Sequence, residues 1–345
     1  MTLVRSYDFV VIGAGVMGAA TAMNLARSGK RVLLVEQFQV GHDRGSSHGH
    51  SRIFRFSYRD AAYVRMAQES LGLWRALEAD SGERILHVTG GLDAGQGIEQ
   101  NAAALVECGA AHELVDAYDA RRRWPVGFET GEMVLWQPDA GVLLADLAVQ
   151  TFVSQAVRAG AAVQEGLRVD SIETQETKVR LHAGNAIVDA GVVVVTAGGW
   201  VQKLLAPHGR APDVRVTRES VAYFRVIGRT PPPFVEWGSP SIYSLPSSGQ
   251  DIKAGRHIAG PEIDPDQPGD VDPGSLEAVG EWVQRRFPGA DPVWHHAETC
   301  LYTNTPDEHF VLERDDRIVI GSPCSGHGFK FAPLIGRKLA ELAGS

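Results

Sequence analysis

Residues 7–36, YDFVVIGAGVMGAATAMNLARSGKRVLLVE, decide the fold. The run from Tyr7 to Ile12 is almost continuously apolar and ends at a glycine, the pattern of a strand buried on both faces of a parallel sheet. From Met17 to Ser28, Ala, Leu and Met recur at helical spacing, and Gly29 stops the helix before RVLLVE starts a second buried strand. Strand, tight turn, helix and strand make one βαβ unit. In its turn Gly13, Gly15 and Gly18 form G-x-G-x-x-G: the first permits a sharp turn, the second lets a pyrophosphate approach the backbone, and the third brings helix and strand together. The helix N-terminus then faces the phosphates. Glu36 ends the next strand, where a carboxylate accepts hydrogen bonds from adenosine ribose hydroxyls and repels a 2′-phosphate, which argues against NADP. This fingerprint alone leaves NAD and FAD open.

Two later stretches favour the flavin. One is VVVVTAGGW, a second buried strand that ends at Gly198, Gly199 and Trp200 and can bring backbone against a long cofactor. The other is GSSHGHSRIFR at 45–55, in which Ser46, His48, Arg52 and Arg55 follow soon after the βαβ unit. Helical patterning returns at about 60–80, about 143–160 and near 274–287, with strand-like stretches between. RIVIGSP reads as a late strand and PLIGRKLAELA as a closing helix. The spacing predicts an α/β protein with two units. A Rossmann-type, discontinuous FAD-binding domain takes residues 1–85, 145–205 and 300–345; an α+β substrate domain on an antiparallel-rich sheet takes 86–144 and 206–299.

Composition narrows the function classes. A chain of 345 residues exceeds one ordinary core, so a cleft between two units is expected. A formal net charge of -9 disfavours nucleic acid and anionic membranes as partners. The N-terminal apolar run is too short for a signal peptide or a membrane span, which points to the cytoplasm. Three scattered cysteines, Cys108, Cys300 and Cys324, fit neither a disulfide framework nor a metal site.

With these residues in view, the chain resembles the monomeric sarcosine oxidase and N-methyltryptophan oxidase family of FAD-dependent amine oxidases, within the D-amino-acid-oxidase-like superfamily. The resemblance rests on GAGVMG, GSSHGHSRIFR, RRWP at 122–125, TAGGW, KAGRH at 253–257, CLYTNTPDEHF at 300–310 and GHGFKF at 326–331. It implies FAD joined covalently to the sulfur of Cys300, which in isolation would read as a buried inert thiol. It implies Lys253 over the flavin ring, stabilising charge that develops on O2. His257, Tyr243 and Arg52 match catalytic positions of the family, while Arg55 and Lys330 match its substrate-carboxylate clamp. A guanidinium suits that task, because a carboxylate entering a dry cleft needs oriented, bidentate pairing. Tyr302, His327 and Phe234 match substrate-side positions, Phe234 standing where a methionine is usual, and Gly328 falls on the flavin side.

The implied reaction is oxidation of a secondary or N-substituted amino acid to an imine by a monomer, with O2 reduced to H2O2. Sarcosine, N-methyltryptophan, cyclic imino acids and fructosyl amino acids all remain open as substrates, as does a dehydrogenase with another electron acceptor. His50 and Ser51 depart from the family's usual Asp-Thr. Only 15 residues follow Lys330 in this 345-residue chain, where family members commonly continue for some tens.

Overall fold

The computed structural model describes residues 4–345. β1 (Val4–Ile12) turns at Gly13–Gly15 into α1 (Val16–Arg27), and the chain returns in β2 (Val32–Val35). Small residues of α1, among them Gly18, Ala19, Ala20 and Ala22, are buried, which lets the helix lie close on the sheet. A loop then leads to β3 (Ser51–Phe54) and α2 (Ala61–Ser81). The Asp60 carboxylate caps that helix by accepting from the Ala62 N–H, and Gly82 ends it in the left-handed conformation with φ +80°.

β4 (Leu86–Val88), β5 (Gly91–Gly95), α3 (Ile98–Glu107), β6 (Glu113–Asp116), α4 (Ala117–Arg123), β7 (Met133–Gln137) and β8 (Gly141–Leu144) follow in turn. α5 (Ala145–Arg158) precedes β9 (Ala162–Gln164), β10 (Ser171–Thr174), β11 (Val179–Ala183) and the long β12 (Ala186–Val195). After α6 (Val201–Leu205) come β13 (Arg215–Arg225), β14 (Phe234–Trp237), β15 (Ile242–Pro246) and β16 (Asp251–Arg256). α7 (Pro273–Arg286), β17 (His296–Asn304), β18 (Val311–Asp315), β19 (Ile318–Ser322) and α8 (Ala332–Gly344) complete the chain.

The first sheet carries the parallel set β9-β2-β1-β12-β19, with β10 and β11 extending it antiparallel beside the first half of β12 and β18 paired to β19. α1, α5 and α8 pack together on one face. The second sheet runs β17-β13-β16-β15-β14-β5-β7-β6 and is antiparallel except where β14 meets β5. α7 covers its outer face, and three short strands, β3-β8-β4, form a third sheet. The mixed α/β architecture follows the expectation. None of the described helices is long and apolar enough to cross a membrane.

Two expectations need correction. Residues 300–304 were assigned with the first unit, yet they are strand residues of β17, hydrogen-bonded to β13 in the second sheet. After β17 the chain rejoins the first sheet at β18 and β19. Phe234 does not line the cleft. On β14 it pairs with Leu92, and Val235 with Asp93, so the two faces alternate along the strand. Val235 and Trp237 take the inner face, whereas Phe234 takes the outer one. There its ring is fully buried, stacked on Trp282 at 5.6 Å and edge-on to Phe128 and Phe287. A motif match fixes a position along a strand to one residue, and one residue is the difference between the two faces.

Replacement of this ring should therefore be a stability event. Phe234→Ala is expected to lower the urea-unfolding free energy by about 3–5 kcal/mol. A pocket-lining role would instead leave the unfolding midpoint nearly unchanged.

Candidate active site

A single elongated cavity runs from the end of β2 to the inner face of the second sheet. Glu36, Gly13, Gly15, Ser46, His48, Gly198 and Trp200 line its first part; Arg52, Lys253, Cys300, Tyr302, Arg55 and Lys330 line the rest.

The glycine turn is built by close backbone approach. A Cβ on Gly13 (φ +96°) would lie 2.6 Å from the Thr196 carbonyl oxygen, and one on Gly18 would lie 1.8 Å from the Gly13 carbonyl oxygen. Gly18 thus serves packing and does not line the cavity. Glu36 is 4% exposed, and its carboxylate accepts from the Ala14 N–H at 2.9 Å and the Phe38 N–H at 3.0 Å. It therefore ties the glycine turn to β2 as well as facing the cavity. His42 Nε2 lies 3.4 Å from the same carboxylate.

The loop 45–50 is sewn down from both sides. Ser46 Oγ donates to the Leu301 carbonyl at 2.5 Å, and the Arg52 guanidinium donates to the carbonyls of Ser46, His48 and Ser51 at 2.7–2.9 Å. Three of the five Arg52 donors are thus spent on this segment. Ser47, which the sequence did not single out, accepts from the Val16 N–H at 3.1 Å in the first turn of α1. His48 Nε2 is buried without a partner among the described residues, and burial with nearby Arg52 pushes its pKa down to about 4. An unpartnered ring nitrogen of a neutral histidine is free to meet a ligand group.

The inner face of β17 presents Glu298, Cys300 and Tyr302 in alternation, and β16 with the residue after it presents Lys253 and His257. Burial pushes the Cys300 thiol up to about 11, opposed by Arg52 and Lys253, and pushes Lys253 down to about 8. Tyr243 and Tyr302 are held protonated by burial, so they can donate hydrogen bonds but are poor bases.

At the far end, Lys330 Nζ donates to the Tyr58 hydroxyl at 2.9 Å and the His327 carbonyl at 2.7 Å. The Tyr58 hydroxyl is 3.3 Å from His327 Nδ1, and His327 Nε2 is 3.0 Å from the Glu308 carbonyl. That carbonyl requires a proton on Nε2, so Nδ1 accepts from Tyr58 and the ring is neutral. Burial and the Lys330 charge depress His327 well below its ordinary value. The Arg55 guanidinium donates to the Ser57 carbonyl and lies between the rings of Tyr58 and Trp237, at 4.2 Å and 4.7 Å. Behind it, buried Asp93 accepts from Ser57 Oγ at 2.9 Å and Trp237 Nε1 at 2.8 Å. Neither Arg55 nor Lys330 has a carboxylate within salt-bridge distance among the described residues.

Tyr58, Asp93, Trp237 and Glu298 were missed from sequence. Tyr58 lies three residues beyond Arg55, a spacing that could have been weighed; the other three are brought in by distant strands.

This geometry fits an extended dinucleotide: a carboxylate and glycine turn at one end, an orphaned imidazole midway, and a thiol, lysine and two arginines at the other. A family model described as FAD dependent oxidoreductase matches residues 8–342. The chain belongs to this family. It is 33% identical to human peroxisomal sarcosine oxidase, covering 98% of this chain and 92% of that one. It is 30% identical to monomeric sarcosine oxidase of Arthrobacter sp., covering 99% and 94%. Among solved structures, NikD, an amino acid oxidase essential for nikkomycin biosynthesis, superposes with a TM-score of 0.90 at 27% identity, covering 98% of this chain and 94% of NikD. The chain is thus an FAD-dependent oxidoreductase with an amino acid oxidase fold. Gly13, Gly15 and the start of α1 would receive the pyrophosphate, and the inner face of β16 and β17 the ring.

The depressed histidines make stability pH-dependent. His48 and His257 are each pushed down to about 4, His257 by burial and by Arg55 and Lys330. Between about 6.5 and about 4 the unfolded chain binds protons that the folded chain refuses, so their contribution is complete above about 6.5 and lost as pH falls. Urea midpoints should drop over that window, and His257→Asn should flatten the drop. An equally steep fall in the variant would show that His257 is not among the groups responsible.

Proposed function

We propose that this oxidoreductase takes a secondary or N-substituted amino acid of the sarcosine type, oxidises its C–N bond to an imine and transfers the electrons to O2, giving H2O2. The observation that carries the reading is a pair of cations, buried Lys330 and half-buried Arg55, that line the far end of the cavity without a carboxylate partner among the described residues. Burial and the Arg55 charge depress Lys330 well below the ordinary lysine value, which is the cost of an ammonium lacking an anion. A substrate carboxylate supplies that anion. The sarcosine oxidases among the relatives support the substrate class.

Bound FAD would supply the two-electron acceptor that links the substrate to oxygen. The protein's own side chains do the rest. Arg55, its plane fixed between Tyr58 and Trp237, orients the carboxylate, and Lys330 neutralises it. His257 and His327 stay neutral, so they add no repulsion to a cationic amine, and His257, whose ring is not tied to Tyr58 and Glu308 as that of His327 is, can accept its hydrogen bond. Nearby cations favour the amine's neutral form, which alone can donate electron density to the breaking C–H bond. Tyr243 and Tyr302 offer hydroxyl donors and close off water. Lys253 meets charge developing on oxygen, the role that the resemblance to the sarcosine oxidase family implies for it.

A second reading has its own support. The walls of the substrate end include Val221, Val235, Trp237 and Leu245, an apolar surface that suits a ring, so a cyclic secondary amino acid is the alternative substrate. Cys300 opens onto the cavity beside Arg52 and Lys253, which supports a covalent flavin held through its sulfur. Both cations oppose the burial that raises its thiol, and attachment needs the thiolate. Three free cysteines agree with a reducing cytoplasmic setting, and the likeness to a monomeric oxidase supports a monomer.

Three measurements test this reading. A peroxide-coupled screen of sarcosine, N-methyltryptophan, L-pipecolate and L-proline should give turnover with at least one, and Arg55→Ala should raise its KM by about tenfold to a hundredfold, as loss of a charge-assisted hydrogen bond would. Silence across the panel would sink the substrate class. Acid precipitation should leave yellow colour in the pellet of the wild type and release it from Cys300→Ser; colour in the wash of both would remove the covalent link. Lys253→Met should slow reoxidation by O2 while sparing anaerobic reduction by substrate, and unchanged reoxidation would favour a dehydrogenase.

A further inference from the structure

Lys253 is 4% exposed, and no hydrogen-bond acceptor reaches its Nζ among the described residues. The nearest carboxylate is Glu298, whose Oε1 lies 3.9 Å away. Three adjacent strands arrange this pair. Tyr223 on β13 stands opposite Lys253 on β16, and Val221, two residues back on the same strand, stands opposite Glu298 on β17. Residues two apart share a face, so Glu298, Tyr223 and Lys253 meet on the inner side of the sheet. The Tyr223 hydroxyl donates to Glu298 Oε1 at 2.6 Å, and its ring lies under the Lys253 ammonium at 5.9 Å. One carboxylate oxygen is thus held by a phenol and directed at an ammonium.

We propose that Glu298, clamped by Tyr223, is a positioning residue: the counter-ion that fixes the charge and direction of Lys253 inside the cavity. Its surroundings make such a counter-ion necessary. Lys253 faces Arg52 of β3 and His48 of the preceding loop, Asp146 at the start of α5, Tyr223 of β13, and Glu298 and Cys300 of β17. Arg52 repels the ammonium, and His48 is neutral. Asp146 has no carboxylate oxygen within 4 Å of the Lys253 Nζ, and Cys300 is a protonated thiol, so Glu298 is the carboxylate that reaches the ammonium. Burial and Arg52 already bring Lys253 down to about 8, and Glu298 is the largest influence in the opposite direction. With Glu298 neutral, a larger share of Lys253 would be uncharged amine near neutral pH. An amine cannot stabilise negative charge forming on oxygen, so the carboxylate would act on that half-reaction through the lysine without touching the reacting atoms.

Glu298→Gln is the first variant, since the amide oxygen can still accept from Tyr223. Competitive acetylation with acetic anhydride, followed by mass spectrometry of the Lys253 peptide from the purified flavoprotein, reads the lysine's charge without turnover. The free amine is the reactive form, so the variant's labelling midpoint should fall, with about fivefold faster acetylation at about pH 7 for a midpoint about one unit lower. Glu298→Asp keeps the charge and should retain most of the wild-type midpoint. Tyr223→Phe should move it down by a smaller step and serves if Glu298→Gln does not fold. A midpoint unmoved by loss of the carboxylate overturns the proposal.

A second arm rests on the oxidase reading. Protein reduced with dithionite and mixed with O2 should reoxidise more slowly as pH rises through the Lys253 midpoint, and that decline should begin at lower pH in Glu298→Gln. Slow reoxidation of the wild type at every pH would count against the oxidase alone, with the acetylation result still deciding on Glu298.

Discussion

The structure depends on a contact between backbones that no side chain could occupy. Gly13, Gly18 and the end of β12 approach so closely that a Cβ on Gly13 would meet the Thr196 carbonyl and one on Gly18 the Gly13 carbonyl. Because the turn is that tight, α1 starts directly beside the ends of the parallel strands, where a helix N-terminus can receive an anion. Thr196 reinforces the junction by donating its hydroxyl to the Ile12 carbonyl at 2.9 Å. Glu36 draws the same turn toward β2 through the Ala14 N–H. The position of the cavity mouth, the loop 45–50 above it and the crossing to the second sheet all follow from this junction.

The other end of the cavity is governed by charge held wholly or partly out of water. Arg52, Arg55, Lys253 and Lys330 converge on a space bordered by few anions, and each is handled differently. Arg52 donates to three carbonyls of its own segment; Arg55 is stacked between two rings; Lys253 faces one carboxylate at a distance; Lys330 is bound to a phenol and a carbonyl. Burying such groups without partners is costly, and pairing them with an incoming anion recovers part of the cost. Neutral His48, His257 and His327 avoid adding to the repulsion. An anionic amino acid meeting an electron-accepting ring is the chemistry that such a space serves.

Much of this was legible from sequence because its signals are local. Apolar runs, glycine stops and capping residues act within one turn or one strand, so β1, α1, β2, α2 and α7 were readable nearly to their ends. The short α3 and α4 were not, since neither carries enough periodic turns to stand out. The motif residues are local signals as well, and all but Gly18 and Phe234 line one cavity. Gly18 was expected to pack rather than to line. Phe234 shows how little a position along the chain says about direction, because a single step along β14 exchanges the cavity for the outer core.

The sequence by itself determined the βαβ unit, the mixed α/β class, the dinucleotide fingerprint and the acidic character. Each of these is written in neighbouring residues or in bulk composition. Only the tertiary structure decided which face each strand residue takes and which distant groups meet. Asp93 reaches Trp237 across paired strands, Tyr58 reaches Lys330 across 272 positions, and Glu298 reaches Lys253 across β13. The physical reason is register: sheet pairing joins strands far apart in the chain, and its alternation of faces assigns each side chain to the cavity or to the core.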